Sequence, residues 1–155
     1  MSEPRWLDEA ETGAWRGYRR MRARLDLQIS RDLARDAGLS NADYDVLSNL
    51  SETEGHRLRL NDLAAEMLWS SSRLSHHLTR MQKRGLVTRD DDPSDARGAV
   101  IVLTKSGWKE IRRAAPLHVE SVRRNFIDLL SRSQIETLGD VTGVVVRHLN
   151  DQQNE

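Results

Sequence analysis

The stretch SSSRLSHHLTRMQKRGLV, residues 70–87, combines serines, two adjacent histidines and four basic side chains, and it contains no acidic residue. Hydroxyl and imidazole groups can form hydrogen bonds with base edges, and basic side chains can pair with phosphates. A helix in the DNA major groove needs an acid-free outward face, because a carboxylate there would lie beside phosphate. The pattern therefore predicts a DNA-recognition helix. The alternative is a solvated basic face, which is common on helices.

The predicted DNA contacts divide by their position along this helix. Residues near its N-terminus come within reach of base edges, and residues further along suit phosphates. The first group is Ser70, Ser71, Ser72, Arg73, Ser75 and His76, and the second is Arg80, Lys83 and Arg84. His77 falls in the apolar stripe of the helix, so we expect a buried histidine with a hydrogen bond. The alternative is a histidine that binds a ligand or senses pH.

The elements before this helix follow from hydrophobic spacing and capping residues. Apolar residues recur every three or four positions over residues 5–36, which predicts one long helix that ends at Gly38. Ser40 is placed to cap a short helix, the alternation at 58–60 predicts a small strand, and a third helix follows. Ser70 then caps the recognition helix, Trp69 packs beneath it, and Gly85 ends it.

After Gly85 the spacing changes from helical to alternating. LVTRD and AVIVL flank the turn-rich DDPSDARG, which predicts a β-hairpin with a long tip. We expect the acidic run at 90–92 to turn away from DNA or to pair with Arg89. Thr104 is placed to cap the next helix, which Pro116 would kink or divide, and Ser133 with Glu136 has capping-box spacing for the last helix.

These elements predict a mainly α fold with a small β-wing, in which a winged helix-turn-helix is flanked by dimerisation helices. The DNA-binding domain is expected at 37–104, and the helical dimerisation region at 1–36 and 105–155. The flanking helices carry more apolar stripe than a domain of this size can cover. A second copy of the chain is the simplest partner for them, so we expect a homodimer.

Composition excludes several other classes of protein. The 155 residues include 24 basic and 24 acidic side chains, so the formal net charge is zero and the distribution of charge must carry the argument. There is no cysteine, which excludes disulfides and thiolate zinc sites. The longest apolar run, 99–103, is far too short to span a membrane, and the polar, acidic start is unlike a secretory signal, so we expect a cytoplasmic protein.

The sequence contains no convincing site for a metal, a cofactor or catalysis. His76 and His77 are adjacent, so a helix points them about 100 degrees apart, which does not suit one metal ion. No nucleotide-binding or nucleophile motif occurs. We therefore expect no cofactor and no enzymatic activity. An enzyme is the alternative, and it would require a group with a strongly shifted pKa in a pocket.

Three segments, RLNDLAAEM, SSSRLSHHLTRMQKRGLVTR and DPSDARGAVIVLTKSG, resemble the MarR family of winged helix-turn-helix regulators. The shared features are the RGLV exit from the recognition helix, the wing motif DARG at 95–98, and the return over 100–107. The resemblance implies a homodimer whose recognition helices enter the major grooves of a pseudo-palindromic operator. It also implies that Arg97 reaches a minor groove and that Asp95 holds this arginine in position.

Resemblance to this family also implies a small effector, because its members commonly bind aromatic acids between the DNA-binding lobe and the dimer helices. An aromatic surface with arginines suits such an aromatic or phenolic anion. The residues expected to bind it are Trp15, Tyr18, Arg19, Arg22 and Trp108. The alternative is that the aromatic rings pack in the core or on the partner chain. The protein would then be a constitutive or architectural DNA binder without an effector.

Overall fold

The structure is a computed structural model that describes residues 2–154. Residues 1 and 155, the outer limits of the predicted helical region, lie outside the described residues. Six α-helices and a three-stranded sheet make up most of the described chain, which confirms the predicted fold class. The helices are α1 (Glu9–Ala37), α2 (Asn41–Glu52), α3 (Leu60–Met67), α4 (Ser71–Lys83), α5 (Lys105–Asn125) and α6 (Arg132–Gln153), and the strands are β1 (Arg57–Arg59), β2 (Val87–Asp92) and β3 (Asp95–Leu103).

The chain forms two compact units. One comprises the residues up to Asp26 together with those from Glu120 onwards, and the other is Leu27–Val119. The second unit contains the buried core, because the apolar faces of α2, α3 and α4 meet the sheet there. Its fully buried side chains include Val46, Leu47, Leu50, Leu63, Leu74, Leu78, Met81 and Ile101. Within residues 2–154, no helix is long and apolar enough to cross a membrane.

The three strands form an antiparallel sheet in the order β1-β3-β2. The hairpin register is regular from Val87 opposite Leu103 to Asp91 opposite Ala99. It then shifts, so that Asp92 lies opposite Asp95, residues 96–98 have no partner on β2, and residues 93 and 94 make the turn. Beyond the shift, residues 92–98 form an irregular wing tip, which confirms the prediction of a long tip. The turn is tight because the carboxylate of Asp92 accepts hydrogen bonds from the backbone N–H of Ser94 at 2.9 Å and from its hydroxyl at 2.7 Å.

Local signals set several helix ends as the sequence predicts. Gly38, with φ of 66°, ends α1 in the left-handed conformation that glycine adopts readily. Ser40 and Asp43 form a complete capping box at the start of α2. Ser70 accepts a hydrogen bond from the backbone N–H of Arg73 at 3.2 Å and caps α4.

The expected cap of the last helix was wrong, and of the two effects expected of Pro116, a kink or a division, the division was wrong. Pro116 lies inside α5, but it does not divide that helix. The last helix is capped by Ser131 with Gln134, and not by Ser133 with Glu136. Both pairs have capping-box spacing, and the structure selects the first because Ser131 has the extended backbone that a cap requires.

The start of α5 is fixed against the wing by Thr104 and Gly107. The hydroxyl of Thr104 accepts a hydrogen bond from the backbone N–H of Gly107 at 2.9 Å, which confirms the predicted cap. A Cβ on Gly107 would overlap the carbonyl oxygen of Leu86 and would lie 2.7 Å from Cδ1 of Leu103. The helix can approach the strands this closely only because position 107 has no side chain.

Candidate nucleic-acid interface

Helix α4 turns one face into the core and the other to solvent. Its inward face is the buried stripe Leu74, His77, Leu78 and Met81. The sequence of α4 contains no acidic residue, and its exposed side chains are Ser71, Ser72, Arg73, His76, Thr79, Arg80, Gln82 and Lys83. The hydroxyl, imidazole and basic groups predicted to contact DNA are therefore displayed on one helix, with the cations Arg80 and Lys83 in its last turns.

Trp69 supports the first turn of α4. This half-buried ring packs against the core, as the sequence predicts, and lies edge-on to the ring of His77 at 5.9 Å. The guanidinium of Arg73 is stacked over the indole at 3.6 Å from the ring centroid, a cation–π contact. The guanidinium of Arg73 is therefore restricted in direction, which reduces the entropy that a further contact of this side chain would cost.

A buried cluster connects α4 to the start of α2. The side chain of Asp43 is almost fully buried, and its Oδ2 accepts a hydrogen bond from Nη1 of Arg84 at 2.7 Å. Nε2 of His77 lies 3.0 Å from Oδ1 of Asp43, without the alignment of a well-formed hydrogen bond. Nδ1 of His77 lies 3.3 Å from Nη2 of Arg80. The burial predicted for His77 is confirmed, and Arg84, predicted for phosphate, has an internal acidic partner.

Burial and charge shift the pKa values in this cluster. Burial by itself would raise the pKa of Asp43, but hydrogen bonds from Arg84 and from the backbone of Ser40 outweigh it and lower that pKa. Burial lowers the pKa of His77, and the attraction of Asp43 offsets only part of this effect. The structure thus favours an ionised Asp43 beside a neutral His77.

A groove of about 630 Å³ separates the N-terminal part of α4 from the wing. One wall comprises Asn61 on α3 with Ser71, Ser72 and Ser75 on α4. The opposite wall is formed by the wing, and it includes Arg97 and Gly98. Hydroxyl and amide groups line the helical side of this concave surface, and the strands contribute the cations together with Asp92 and Asp95. A helix and a wing on either side of a groove suit a DNA backbone lying between them.

Arg89, on β2, connects the wing to α4. Its guanidinium donates hydrogen bonds to Oγ of Ser75 at 3.1 Å, to the carbonyl oxygen of Ser75, and to Oγ1 of Thr79 at 3.1 Å. Three acceptors on successive turns of one helix thus bind a single guanidinium. The arginine therefore fixes the position of the wing base relative to the recognition helix.

Two acidic residues at the base of the wing, Asp90 and Asp92, pair with arginines of β1. Asp92 accepts a hydrogen bond from Nε of Arg59 at 3.0 Å, and Asp90 lies 3.8 Å from Nη2 of Arg57. Of the two alternatives expected for this run, pairing with Arg89 was wrong, because the hydrogen bonds of Arg89 go to α4. Hydrogen bonds from the hydroxyl and backbone of Ser94 lower the pKa of Asp92, and Arg59 adds to this effect. Most of the negative charge of the wing base therefore has a cationic partner.

At the wing tip, Asp95 contacts the backbone rather than the side chain of Arg97. Its Oδ1 accepts a hydrogen bond from the backbone N–H of Arg97 at 3.0 Å. Through this bond Asp95 orders the backbone of the wing at Arg97 and leaves the guanidinium exposed. The guanidinium lies on the groove side of the wing tip, the place from which a wing arginine would reach DNA.

Sequence reasoning missed Asn61, Arg59 and Arg89 as parts of this surface. Asn61 follows the strand that carries Arg59, and both face the groove. The motif RLND at 59–62 lies within a segment that resembles the MarR family. This resemblance is the sequence signal that could have indicated Arg59 and Asn61. The partners of these residues lie ten or more positions away in the chain, so helical periodicity gives no indication of the contacts.

The residues expected to bind an effector occur in both compact units. Trp15 and Tyr18 are stacked on α1 with ring centroids 5.9 Å apart, and each is about half exposed, at 52% and 48%. Arg19 and Arg22 are exposed on the same helix, and Arg22 lies 3.8 Å from Asp26. Trp108 belongs to the other unit, where its ring centroid is 4.8 Å from that of His56. Among residues 2–154, no group of three or more acidic or histidine side chains could hold a metal ion.

Comparison with solved structures identifies the family. The chain is 42% identical to AbsC, a MarR family transcriptional regulator from Streptomyces coelicolor, over 96% of this chain and 99% of that one, with a TM-score of 0.89. The chain belongs to the MarR family. Sco3205, a MarR family regulator from the same organism whose crystal structure is in complex with DNA, is 40% identical over 94% of this chain and 92% of its own, with a TM-score of 0.89.

Sequence comparisons agree with this assignment. The model of the MarR family matches residues 37–98, which span α2, α3, α4 and most of the wing. The transcriptional regulator HosA from Escherichia coli O111:H- is 31% identical over 99 residues, which are 63% of this chain and 70% of HosA. As a MarR family transcriptional regulator, the chain is a DNA-binding protein.

Proposed function

We propose that this MarR family regulator acts in the cytoplasm as a homodimeric repressor that binds a pseudo-palindromic operator and is released from it by a small aromatic anion. The observation that carries the DNA-binding part is the acid-free outward face of α4 beside the wing groove. In this proposal, Ser71, Ser72, Arg73, Ser75 and His76 meet base edges, with Ser70 capping their helix. Arg80, Lys83 and Arg84 meet phosphates, and Arg97, positioned by Asp95, enters a minor groove.

Exposed apolar side chains support the homodimer. Helix α6 has no fully buried residue, and several of its apolar side chains are 50–60% exposed: Val141, Val144, Val145, Val146 and Leu149. Exposed apolar area of this extent on one helix is typical of a surface that a partner covers. The terminal helical regions, 1–36 and 105–155, would then dimerise, while 37–104 binds DNA. Each half of a two-fold operator would contact one recognition helix.

The experiment that tests this proposal recovers bound DNA from a pool of genomic fragments at physiological salt. We expect a fragment with two inverted half-sites, one helical turn apart, to be enriched. Sedimentation equilibrium at micromolar concentration should give a dimer. A monomer that binds the recovered fragment tightly would contradict the dimer, and loss of enrichment over random DNA would contradict sequence-specific binding. Repression is then tested by transcription from the recovered promoter with and without the protein.

The stacked pair Trp15 and Tyr18 supports the effector, since both rings are half exposed and Arg19 and Arg22 lie within two turns of them. A ligand changes operator affinity only if it prefers one arrangement of the two recognition helices, and operator must then weaken ligand binding by the same factor. Calorimetric titration of aromatic carboxylates with and without operator measures the ligand affinity in each condition, and the ratio of the two affinities gives the coupling factor. Trp15→Ala and Arg19→Ala should abolish the binding. Equal ligand affinity in both conditions would show that the ligand does not regulate.

A further inference from the structure

One hydroxyl on the proposed DNA-reading surface already has its hydrogen-bonding role fixed inside the protein. Ser71 is the exposed first residue of α4, and its Oγ donates a hydrogen bond to Oδ1 of Asn61, on α3, across 2.6 Å. A serine hydroxyl carries one proton and two lone pairs. Because the proton is held by Asn61, Ser71 presents only lone pairs to a molecule in the groove.

Ser75 provides an internal comparison, because it lies one turn further along the same face of α4 and has the opposite arrangement. Its Oγ accepts a hydrogen bond from Arg89 at 3.1 Å, and within residues 2–154 its own proton has no acceptor. Ser75 therefore keeps a proton to donate, and the adjacent guanidinium charge disfavours a further donor. Of two chemically identical side chains at the groove, Ser71 is thus left to accept a hydrogen bond and Ser75 is left to donate one.

The four bases differ in the polarity that they present in the major groove. Adenine and cytosine each offer an amino group, which donates hydrogen bonds, whereas guanine offers two acceptors and thymine an acceptor and a methyl group. An oxygen that can only accept is attracted to the amino group and repelled by the acceptors. We propose that the Asn61–Ser71 pair is a specificity device, in which Asn61 makes Ser71 an acceptor that selects adenine or cytosine on the strand it faces.

This inference rests on the proposed function, and it assigns Asn61 the role of a positioning residue that acts through Ser71. The amide nitrogen of Asn61 has no hydrogen-bond partner within residues 2–154 and lies at the same groove. It is available to donate to a phosphate oxygen, a contact that is the same for every base sequence. Loss of Asn61 should therefore change base preference through Ser71 and lower overall affinity through the phosphate, and the two effects are separable.

The test measures the binding of the full-length protein to a library in which each base pair of the recovered operator is varied. We expect the unaltered protein to prefer adenine or cytosine over guanine and thymine at one position in each half-site by about fivefold, the value of one hydrogen bond. Ser71→Ala should abolish that preference. Asn61→Ala should reduce it to below about twofold, because the released proton lets Ser71 donate as well as accept.

Asn61→Asp is the matched variant, since its carboxylate can still accept the proton of Ser71 but has no amino group and adds negative charge. It should keep the base preference while affinity falls for all sequences alike. A profile of Asn61→Ala identical to that of the unaltered protein would overturn the inference, as would loss of the preference in Asn61→Asp. If the unaltered protein enriches no sequence, the proposed function itself fails. Thermal melting of each variant checks the fold, which we expect to be intact because Asn61 and Ser71 are exposed.

Discussion

Leu68, in the turn between α3 and α4, has a left-handed backbone with φ of 55°, and its side chain is 83% exposed. This conformation costs an L-residue about 1–2 kcal/mol, and the exposed side chain contributes almost no packing in return. Glycine would remove the strain but has about 0.5–1 kcal/mol more chain entropy to lose on folding. We expect Leu68→Gly to raise the free energy of unfolding by up to about 1 kcal/mol, measured by urea denaturation.

The control for this prediction is Leu68→Ala, which removes the same side chain and keeps the strained conformation. It should leave the free energy of unfolding unchanged or slightly lower. Equal stabilisation by alanine and by glycine would show that the exposed side chain, and not the backbone, is the source of the effect.

Arg97 is the second position at which one side chain should have a measurable effect. Its guanidinium lies exposed at the wing groove, and Asp95 bonds only its backbone. We expect Arg97→Ala to weaken operator binding by about 1–3 kcal/mol, the range for loss of a specific arginine contact, while the fold stays intact. A titration at fixed salt measures this, with Lys109→Ala as a control for the loss of one positive charge outside the proposed interface. Equal, small effects of both variants would contradict the role of the wing.

At the scale of the elements, the contact between α2 and α4 makes stability depend on pH. Burial lowers the pKa of His77 in the folded protein, so the unfolded chain takes up a proton first as the pH falls. The free energy of unfolding should therefore decrease below about pH 6.5, the ordinary value for histidine, by at most about 1.4 kcal/mol per pH unit for each such group. Burial also lowers the pKa of His118, which contributes in the same direction.

Replacing His77 by leucine should reduce this pH dependence, because leucine takes up no proton. Chemical denaturation at pH 7.5 and 5.5 provides the measurement, and His76→Leu, at an exposed neighbouring position, is the control. The pKa of Asp43 is lowered, so its contribution is present above about pH 4 and is lost only in stronger acid. An unchanged slope in His77→Leu would show that His77 is protonated alike in both states.

The junction of α5 with the wing depends on one glycine. Because a Cβ at position 107 would overlap the carbonyl oxygen of Leu86, Gly107→Ala requires the helix to move away from the strand. Overpacking of this kind costs about 1–3 kcal/mol, which thermal denaturation would detect. Gly139→Ala is the matched helical control, since nothing lies within 4 Å of its Cβ. That variant should be neutral or more stable, since alanine favours a helix. Similar destabilisation by both would contradict the close approach.

The elements also show what the sequence can and cannot predict. Hydrophobic spacing located the helices because each carries one apolar face, and Ser40 and Ser70 were correctly assigned because their capping partners lie three residues away. The cap of α6 was misplaced because two serines offer the same local signal. The pairing of Asp92 with Arg59 spans 33 positions, and only the register of the sheet brings them together. Short-range patterns therefore predict elements, while the contacts that shape the groove depend on the fold.

For the whole molecule, a net charge of zero means that DNA attraction must come from local clusters. In a dimer, Lys83 of each subunit would neutralise one phosphate and release its counterion. Lys83→Ala should therefore reduce the slope of log affinity against log salt concentration by about 2 in magnitude. It should weaken binding to operator and to random DNA by the same factor. Arg73→Ala removes the side chain that is stacked on Trp69. It should weaken binding to operator DNA more than binding to random DNA. Equal losses on both DNAs for both variants would contradict this division of roles.

The hydrogen bonds from Arg89 to Ser75 and Thr79 have a consequence for protein engineering. Because one guanidinium fixes the helix to the wing, the two do not behave as interchangeable modules. A recognition helix transplanted into another winged scaffold would keep its side chains but lose the angle at which they are presented. We expect such chimaeras to inherit the full binding preference of this protein only when the arginine, serine and threonine are transferred together.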